Sequence, residues 1–215
     1  MGILISSTTK VLVQGITGKE GQKASSAMRE YGTTVIGGVR PGKGGEMVDS
    51  VPVFNTVAEA CETVPDISVT TIFVPPFVAK SAILEAIEAE IPLISVIVER
   101  IPIKDTMYCL AAAREKGIRI IGPSSLGYIT PGVGRIGVVG GSRAQVDEIF
   151  VPGQVGIISR SGGMTNEIAW QVRKAGMGQS TAVHVGGDLC MGTTYVDLLE
   201  MFEQDDQTLS VILFG

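Results

Sequence analysis

The chain has 215 residues, enough to bury a sizeable core as one large domain or two small ones. Its net charge of −5 is mild and Lys and Arg form no block or stripe, which excludes nucleic acid and an anionic membrane surface as expected partners. The opening "MGILISSTTK" is too short and polar for a signal peptide and no apolar run approaches the roughly 18 residues of a membrane span, so a cytoplasmic protein is expected, the mitochondrial matrix entering only if a transit peptide has been removed.

Strand and helix alternate along the chain with little interruption, the pattern of parallel sheets covered on both faces. Strands are predicted at 10–16, 33–39, 68–75, 92–99 and 119–123, with helices at 18–31, 56–64, 77–90 and 103–116 between them; Gly117 follows the last helix as a C-cap glycine. This reads as one doubly wound domain closing near residue 123. The stretch "SSLGYITPGVGRIGVVGGSRAQVDEIFVPG" then breaks the rhythm with Gly, Pro and Ser, and a domain boundary is expected in its later part. A second α/β unit follows, with strands at 154–159, 180–186 and 209–214 and helices at 163–176 and 194–204. Three strands and two helices make a poor independent domain, because parallel strands are normally covered on both faces. The expectation is therefore a piece of a longer protein, or a sheet that a partner completes.

In "VLVQGITGKEGQ", Gly15, Gly18 and Gly21 follow an apolar strand and open a helix. Backbone N–H groups point outward at such a start with the positive end of the helix dipole behind them, and glycine lets a phosphate approach closely. A tight turn without a ligand gives the same pattern, so the discriminating feature is the end of the second strand. A nicotinamide-dinucleotide domain usually places Asp or Glu there for the ribose hydroxyls. Here "TTVIGGVRPGKGG" offers Val39, Arg40 and Lys43 instead. Two cations beside a pyrophosphate cradle suit a nucleotide with an extra ribose phosphate, and both NADPH and coenzyme A qualify. A second helix start, "ISRSGGMTNE", sets Ser161, Gly162 and Gly163 between strand and helix as a second phosphate-binding candidate. Cys61, Cys109 and Cys190 are odd in number and far apart, so free thiols are expected rather than disulfides or a zinc site. The acidic run Glu200, Glu203, Asp205 and Asp206 follows no ligand spacing and reads as a solvated helix end, so no metal site is expected.

Taken in order, "VLVQGITGKEGQ", "YGTTVIGGVRPGKGG", "VPVFNTVAEA", "FVPP", "GYITPGVGRIG", "VGIISRSGG" and "GGDLCMGTTYVDLLEMFEQD" resemble the alpha-subunit family of succinyl-CoA synthetase over essentially the whole chain. The resemblance implies a Rossmann-like CoA-binding domain, 1–144, followed by an incomplete flavodoxin-like ligase domain, 145–215. It implies a beta-type partner subunit carrying ATP or GTP with Mg, a small carboxylic acid substrate, and transfer of phosphate through a phosphohistidine to an acyl phosphate. CoA contacts are implied at Thr17, Gly18, Lys19 and Glu20, at Lys43, and at Ile97, Val98 and Glu99; phosphate or substrate contacts are implied at Ser161, Gly162, Gly163 and Asn166. The chain's one histidine, His184, lies in an apolar strand rather than at the family's phosphorylated position. That position is expected past residue 215, so no catalytic residue is assigned within the chain, and the isolated chain is expected to be inactive. Ser124–Ser125 replace the Asn-Cys pair usual in the family, and 163–166, "GMTN", replace Thr-Leu-Thr-Tyr. "SRSGGM" followed by Asn-Glu is closer to ATP-citrate lyase and its citryl-CoA synthetase relatives. Succinate is the first expected acid and citrate the alternative. A non-catalytic CoA-binding module is the rival from another class, and an NADP-dependent oxidoreductase the third.

Overall fold

The computed structural model describes residues 2–215. The chain begins with β1 (Lys10–Gln14), whose Val11, Leu12 and Val13 are all fully buried, as a parallel strand covered on both faces requires. It continues through α1 (Lys19–Tyr31), β2 (Thr34–Val39), β3 (Met47–Val48), β4 (Val51–Phe54), α2 (Val57–Thr63), β5 (Val69–Ile72), α3 (Pro76–Glu88), β6 (Leu93–Val96), α4 (Ile103–Glu115) and β7 (Arg119–Ile121). These strands form a seven-stranded sheet in the order β3-β4-β2-β1-β5-β6-β7. All neighbours are parallel except the edge pair β3 and β4. The chain leaves β1 toward β2 on one side and returns to β5 on the other. The crevice beyond the carboxyl ends of β1 and β5 is thus the topological switch point at which open α/β sheets take their ligands.

The two faces of this sheet are distinguished by period-2 alternation. Leu12 packs with Val57 and Ala60 of α2, while Ile72, Ile94 and Val96 pack with Ile83 of α3 and Cys109 of α4. Val11, Val13, Val69 and Leu93 face the other way, onto Met28 of α1 and onto Tyr128, Ile136 and Val183 of a second sheet.

That second sheet comprises β8 (Gly127–Thr130), β9 (Gly134–Gly137), β10 (Pro152–Ser159), β11 (Gln179–His184) and β12 (Ser210–Phe214), with α5 (Arg143–Ile149), α6 (Gly162–Lys174) and α7 (Tyr195–Glu203) in the connections. Its order is β12-β10-β11-β8-β9, with β12, β10 and β11 parallel and β8 antiparallel to both β11 and β9. The Gly/Pro-rich stretch that breaks the rhythm of the sequence is thus a hairpin that extends the second sheet, followed by a short helix. Residues 127–137 hydrogen-bond into that sheet although they precede residue 145 in the chain. No helix among the described residues is long and apolar enough to cross a membrane. Cys61, Cys109 and Cys190 are free.

Candidate functional site

The carboxyl ends of β1, β2, β5 and β6 converge on one edge of the first sheet. After β1 the chain turns sharply at Gly15, whose φ is +83° and whose N–H donates to the Val39 carbonyl at 2.9 Å. Gly18 is the N-cap of α1; it has extended dihedrals and no side chain caps the helix. The Gly18 N–H returns to the Gly15 carbonyl at 3.0 Å and the first helical bond runs from the Gln22 N–H to Gly18. The N–H groups of Lys19, Glu20 and Gly21 therefore have no partner among the described residues. Orphan donors at a helix start with the dipole behind them form an anion cradle.

The loop after β2 carries the two cations. Asn55 pins it, its Oδ1 accepting from the N–H groups of Gly42 and Gly44 at 3.0 Å each. Lys43 Nζ sits 2.7 Å from Glu46 Oε1, and both side chains are about half exposed. Lys43 thus enters as one half of a surface ion pair, while Arg40 stands exposed at the strand end.

Two apolar crevices flank Val74, which lines both. One, of about 290 Å³, lies among Gln14, Gly15, Val39, Arg40, Pro41 and the α3 side chains Val78 and Glu85. The other, of about 380 Å³, lies among Glu20, Phe73, Pro76, Ile97, Val98 and Glu99. Of the residues predicted to hold CoA, Glu20, Ile97, Val98 and Glu99 meet in the second crevice; Thr17, Gly18 and Lys19 belong to the cradle between the two, and Lys43 stands on the loop beyond Arg40. Sequence reasoning missed Val74, Pro41 and Asn55. The "FVPP" run after β5 was the signal for the first of these, since a Pro at the first helical position fixes where α3 starts.

Ser161, Gly162, Gly163 and Asn166 lie at the matching edge of the second sheet. Ser161 caps α6, its hydroxyl accepting from the Met164 N–H at 3.4 Å, which leaves the Gly162 and Gly163 N–H groups without partners among the described residues. Asn166 turns its Oδ1 to the Gly140 N–H at 3.1 Å, so its acceptor is engaged within the fold.

A strap at residues 124–126 joins the two edges. Ser124 and Ser125 donate their N–H groups to the Val98 and Val96 carbonyls, and the Ser125 hydroxyl donates to the His184 carbonyl. His184 is 4% exposed. Its Nδ1 accepts from the Leu126 N–H at 2.7 Å and its Nε2 lies 3.0 Å from the Arg160 carbonyl. Those partners assign a neutral ring with the proton on Nε2, and they leave neither nitrogen a free lone pair for phosphate. The ring instead holds Arg160 and Leu126, and through them the start of α6.

Burial pushes the His184 imidazole below its ordinary value, against the opposing effect of the Arg160 carbonyl. The unfolded chain takes up a proton near pH 6.5 that the native ring refuses. Stability is therefore expected to fall as pH drops from about 6.5 toward the lower native value, by up to about 1.4 kcal/mol per unit. Denaturant unfolding measured at descending pH, above the carboxylate range, checks this. His184→Gln should flatten the slope, and an unchanged slope would assign it elsewhere.

Two family models match the chain, one after the other. The CoA binding domain family matches residues 6–100, and the family described as "Succinyl-CoA ligase like flavodoxin domain" matches 152–214. The chain is 46% identical over 220 residues to the alpha subunit of ADP-forming succinate–CoA ligase from Aquifex aeolicus, spanning 100% of this chain and 69% of that protein. It is 42% identical to malate–CoA ligase subunit alpha from Methylorubrum extorquens, spanning 100% of this chain and 72% of that protein. The solved structure of ATP citrate lyase from Methanothrix soehngenii in complex with citrate and coenzyme A superposes with a TM-score of 0.88 at 25% identity, over 99% of this chain and 36% of that one. With both domain families in this order and identity sustained along its whole length, the chain belongs to the succinate–CoA ligase alpha-subunit family.

Proposed function

We propose that this chain is the CoA-binding part of an acid–thiol ligase that joins CoA to succinate while ATP or GTP is broken down to the diphosphate and phosphate. The observation that carries the reading is the uncapped start of α1 set between two apolar crevices, with Arg40 lining one, Lys43 on the loop beyond it, and Glu20 and Glu99 within the other. That donor set fits CoA end to end. Arg40 and Lys43 receive the ribose phosphate, the free N–H groups of Lys19, Glu20 and Gly21 take the pyrophosphate where Thr17 and Gly18 lead the chain into α1, and Ile97, Val98 and Glu99 line the pantetheine. Bound there, CoA supplies a thiol as nucleophile. The chain's own residues orient it, and the strap through Ser124, Ser125 and His184 fixes how that edge stands against Ser161, Gly162 and Gly163. These last three, with the free amide nitrogen of Asn166, are assigned to phosphate and the carboxylate substrate. No phosphoryl transfer is assigned to His184.

The nucleotide and its Mg belong, in this reading, to a beta-type partner subunit, and the complex works in the cytoplasm, in keeping with the free thiols. Citrate is the second reading, favoured by the likeness to ATP citrate lyase with citrate bound. The assembled ligase containing this chain and its beta-type partner is expected to form a thioester from succinate, CoA and ATP or GTP. Thioester formed from citrate instead would select the second reading. Formation from neither, with CoA binding intact, would reduce the chain to a CoA-binding module.

A further inference from the structure

A larger cleft, of about 700 Å³, runs between α1 and the turn that joins β9 to α5. Glu20, Lys23, Ala27 and Glu30 form its α1 wall, at spacings of three and four that keep them on one helix face. Its floor is Arg135 of β9, which is 2% exposed. Thr33 clamps the backbone there, its hydroxyl donating to the Arg135 carbonyl at 2.8 Å and accepting from the Arg135 N–H at 2.9 Å. The guanidinium has only one hydrogen-bond partner among the described residues: Nη2 donates to the Gly141 carbonyl at 2.9 Å. Nε is buried without an acceptor, Nη1 has none either, and no carboxylate stands within ion-pair distance among the described residues.

A buried guanidinium with no carboxylate in contact is costly: burial disfavours its charge, opposed only at longer range by Tyr31 and Glu30, and its fork of donors matches the oxygens of an oxyanion. The rim adds two more cations. Arg143 is held in place by Asp147 at 2.7 Å, by the Glu30 carbonyl and by the Tyr31 ring, 5.1 Å from its centroid. Lys23 is exposed and unpaired among the described residues. The two carboxylates facing the cleft sit at its ends: Glu20 at the start of α1, and Glu30 near its finish, where it accepts from the Ser26 hydroxyl at 3.0 Å. That arrangement admits a compact anion at the centre and repels an extended one.

We propose that Arg135, Lys23 and Arg143, none of which lines a CoA crevice, form a second anion site, in a cleft that adjoins the second crevice at Glu20 and Val138, that binds a phosphoryl group, supplied either as inorganic phosphate or as a small phosphate monoester. The assignment does not depend on the identity of the acid substrate. Calorimetric titration of the chain with CoA already present, so that the start of α1 is occupied, isolates the site. Inorganic phosphate and glycerol phosphate are the two probes, and whichever gives saturable binding names the source. A Kd of about 1 mM or tighter is expected for at least one probe. Lys23→Glu and Arg135→Gln should each weaken it at least about tenfold while CoA affinity is unchanged. Lys23 is exposed, so its variant decides the matter if Arg135→Gln fails to fold. Absence of saturable binding for both probes, or equal binding by wild type and Lys23→Glu, would overturn the proposal.

Discussion

Replacing Lys43 with Ala is expected to weaken CoA roughly tenfold or more while leaving 3′-dephospho-CoA within about threefold of wild type, a charge-assisted contact to one phosphate being worth about 1.5–3 kcal/mol. The lower end is the better expectation because Lys43 is half exposed and already engaged with Glu46 at 2.7 Å. That surface pair is itself worth only about 0–1 kcal/mol, so a dianionic phosphate readily draws the ammonium away from it. Glu46→Gln should accordingly leave CoA binding unchanged or tighten it by up to about threefold. Calorimetry with CoA, dephospho-CoA and NADPH on the three proteins checks all of this. Equal losses for CoA and dephospho-CoA would remove the ribose phosphate from Lys43. NADPH binding tighter than CoA would assign the whole crevice to a different nucleotide.

The expectation rests on the loop after β2 being held in place, and this the sequence conveyed only in part. Arg40 and Lys43 were legible because an acid is usual where they stand. Asn55, which pins the loop through two N–H groups, was not legible, since its partners lie 11 and 13 residues away and meet it only when β4 folds beside β2. Parallel strands with buried residues on both faces declared themselves by composition, as β1 and β6 show. The β8–β9 hairpin did not, although its turn carried a usable signal. Pro131 and Gly132 occupy the two central positions of a turn closed by the Val133 N–H and the Thr130 carbonyl at 3.0 Å, and Gly132 has φ +78°. Pro then Gly at those positions is the type II signature. Counted as chain breakers, the same residues only interrupted the rhythm of strand and helix and pointed to a domain boundary further on. The short α5 was marked in the same way by Ser142 and Gln145, whose reciprocal bonds form a capping box. His184 shows the opposite limit: its place in an apolar strand was readable, but its two backbone partners come from segments 58 and 24 residues away.

The glycines of the β1–α1 loop should separate into two classes when each is changed to Ala, because their neighbours differ. A Cβ on Gly21 would lie 2.3 Å from the Gly15 carbonyl oxygen and 2.9 Å from its carbon, both backbone atoms that move only if the loop leaves α1. A Cβ on Gly15 would lie 2.5 Å from the Phe73 carbonyl oxygen at a φ of +83° that side chains rarely adopt. Overpacking of this kind costs about 1–3 kcal/mol or more, so Gly15→Ala and Gly21→Ala should lose both stability and CoA binding. Gly18 is different. Its nearest neighbour to an added Cβ is the Gly15 carbonyl oxygen at 3.3 Å, and its dihedrals are open to any residue. Gly18→Ala should cost no more than about 1 kcal/mol in stability, the difference between Gly and Ala as an N-cap. Its methyl group would nevertheless sit where a phosphate must approach the N–H groups of Lys19 and Glu20, and CoA affinity should fall at least about tenfold. Thermal melts and CoA calorimetry on the three variants read the two effects separately. A Gly18→Ala protein that melts like wild type and binds CoA like wild type would show that no phosphate rests on the start of α1. One that melts normally and binds poorly would place the pyrophosphate there by chemistry rather than by fold.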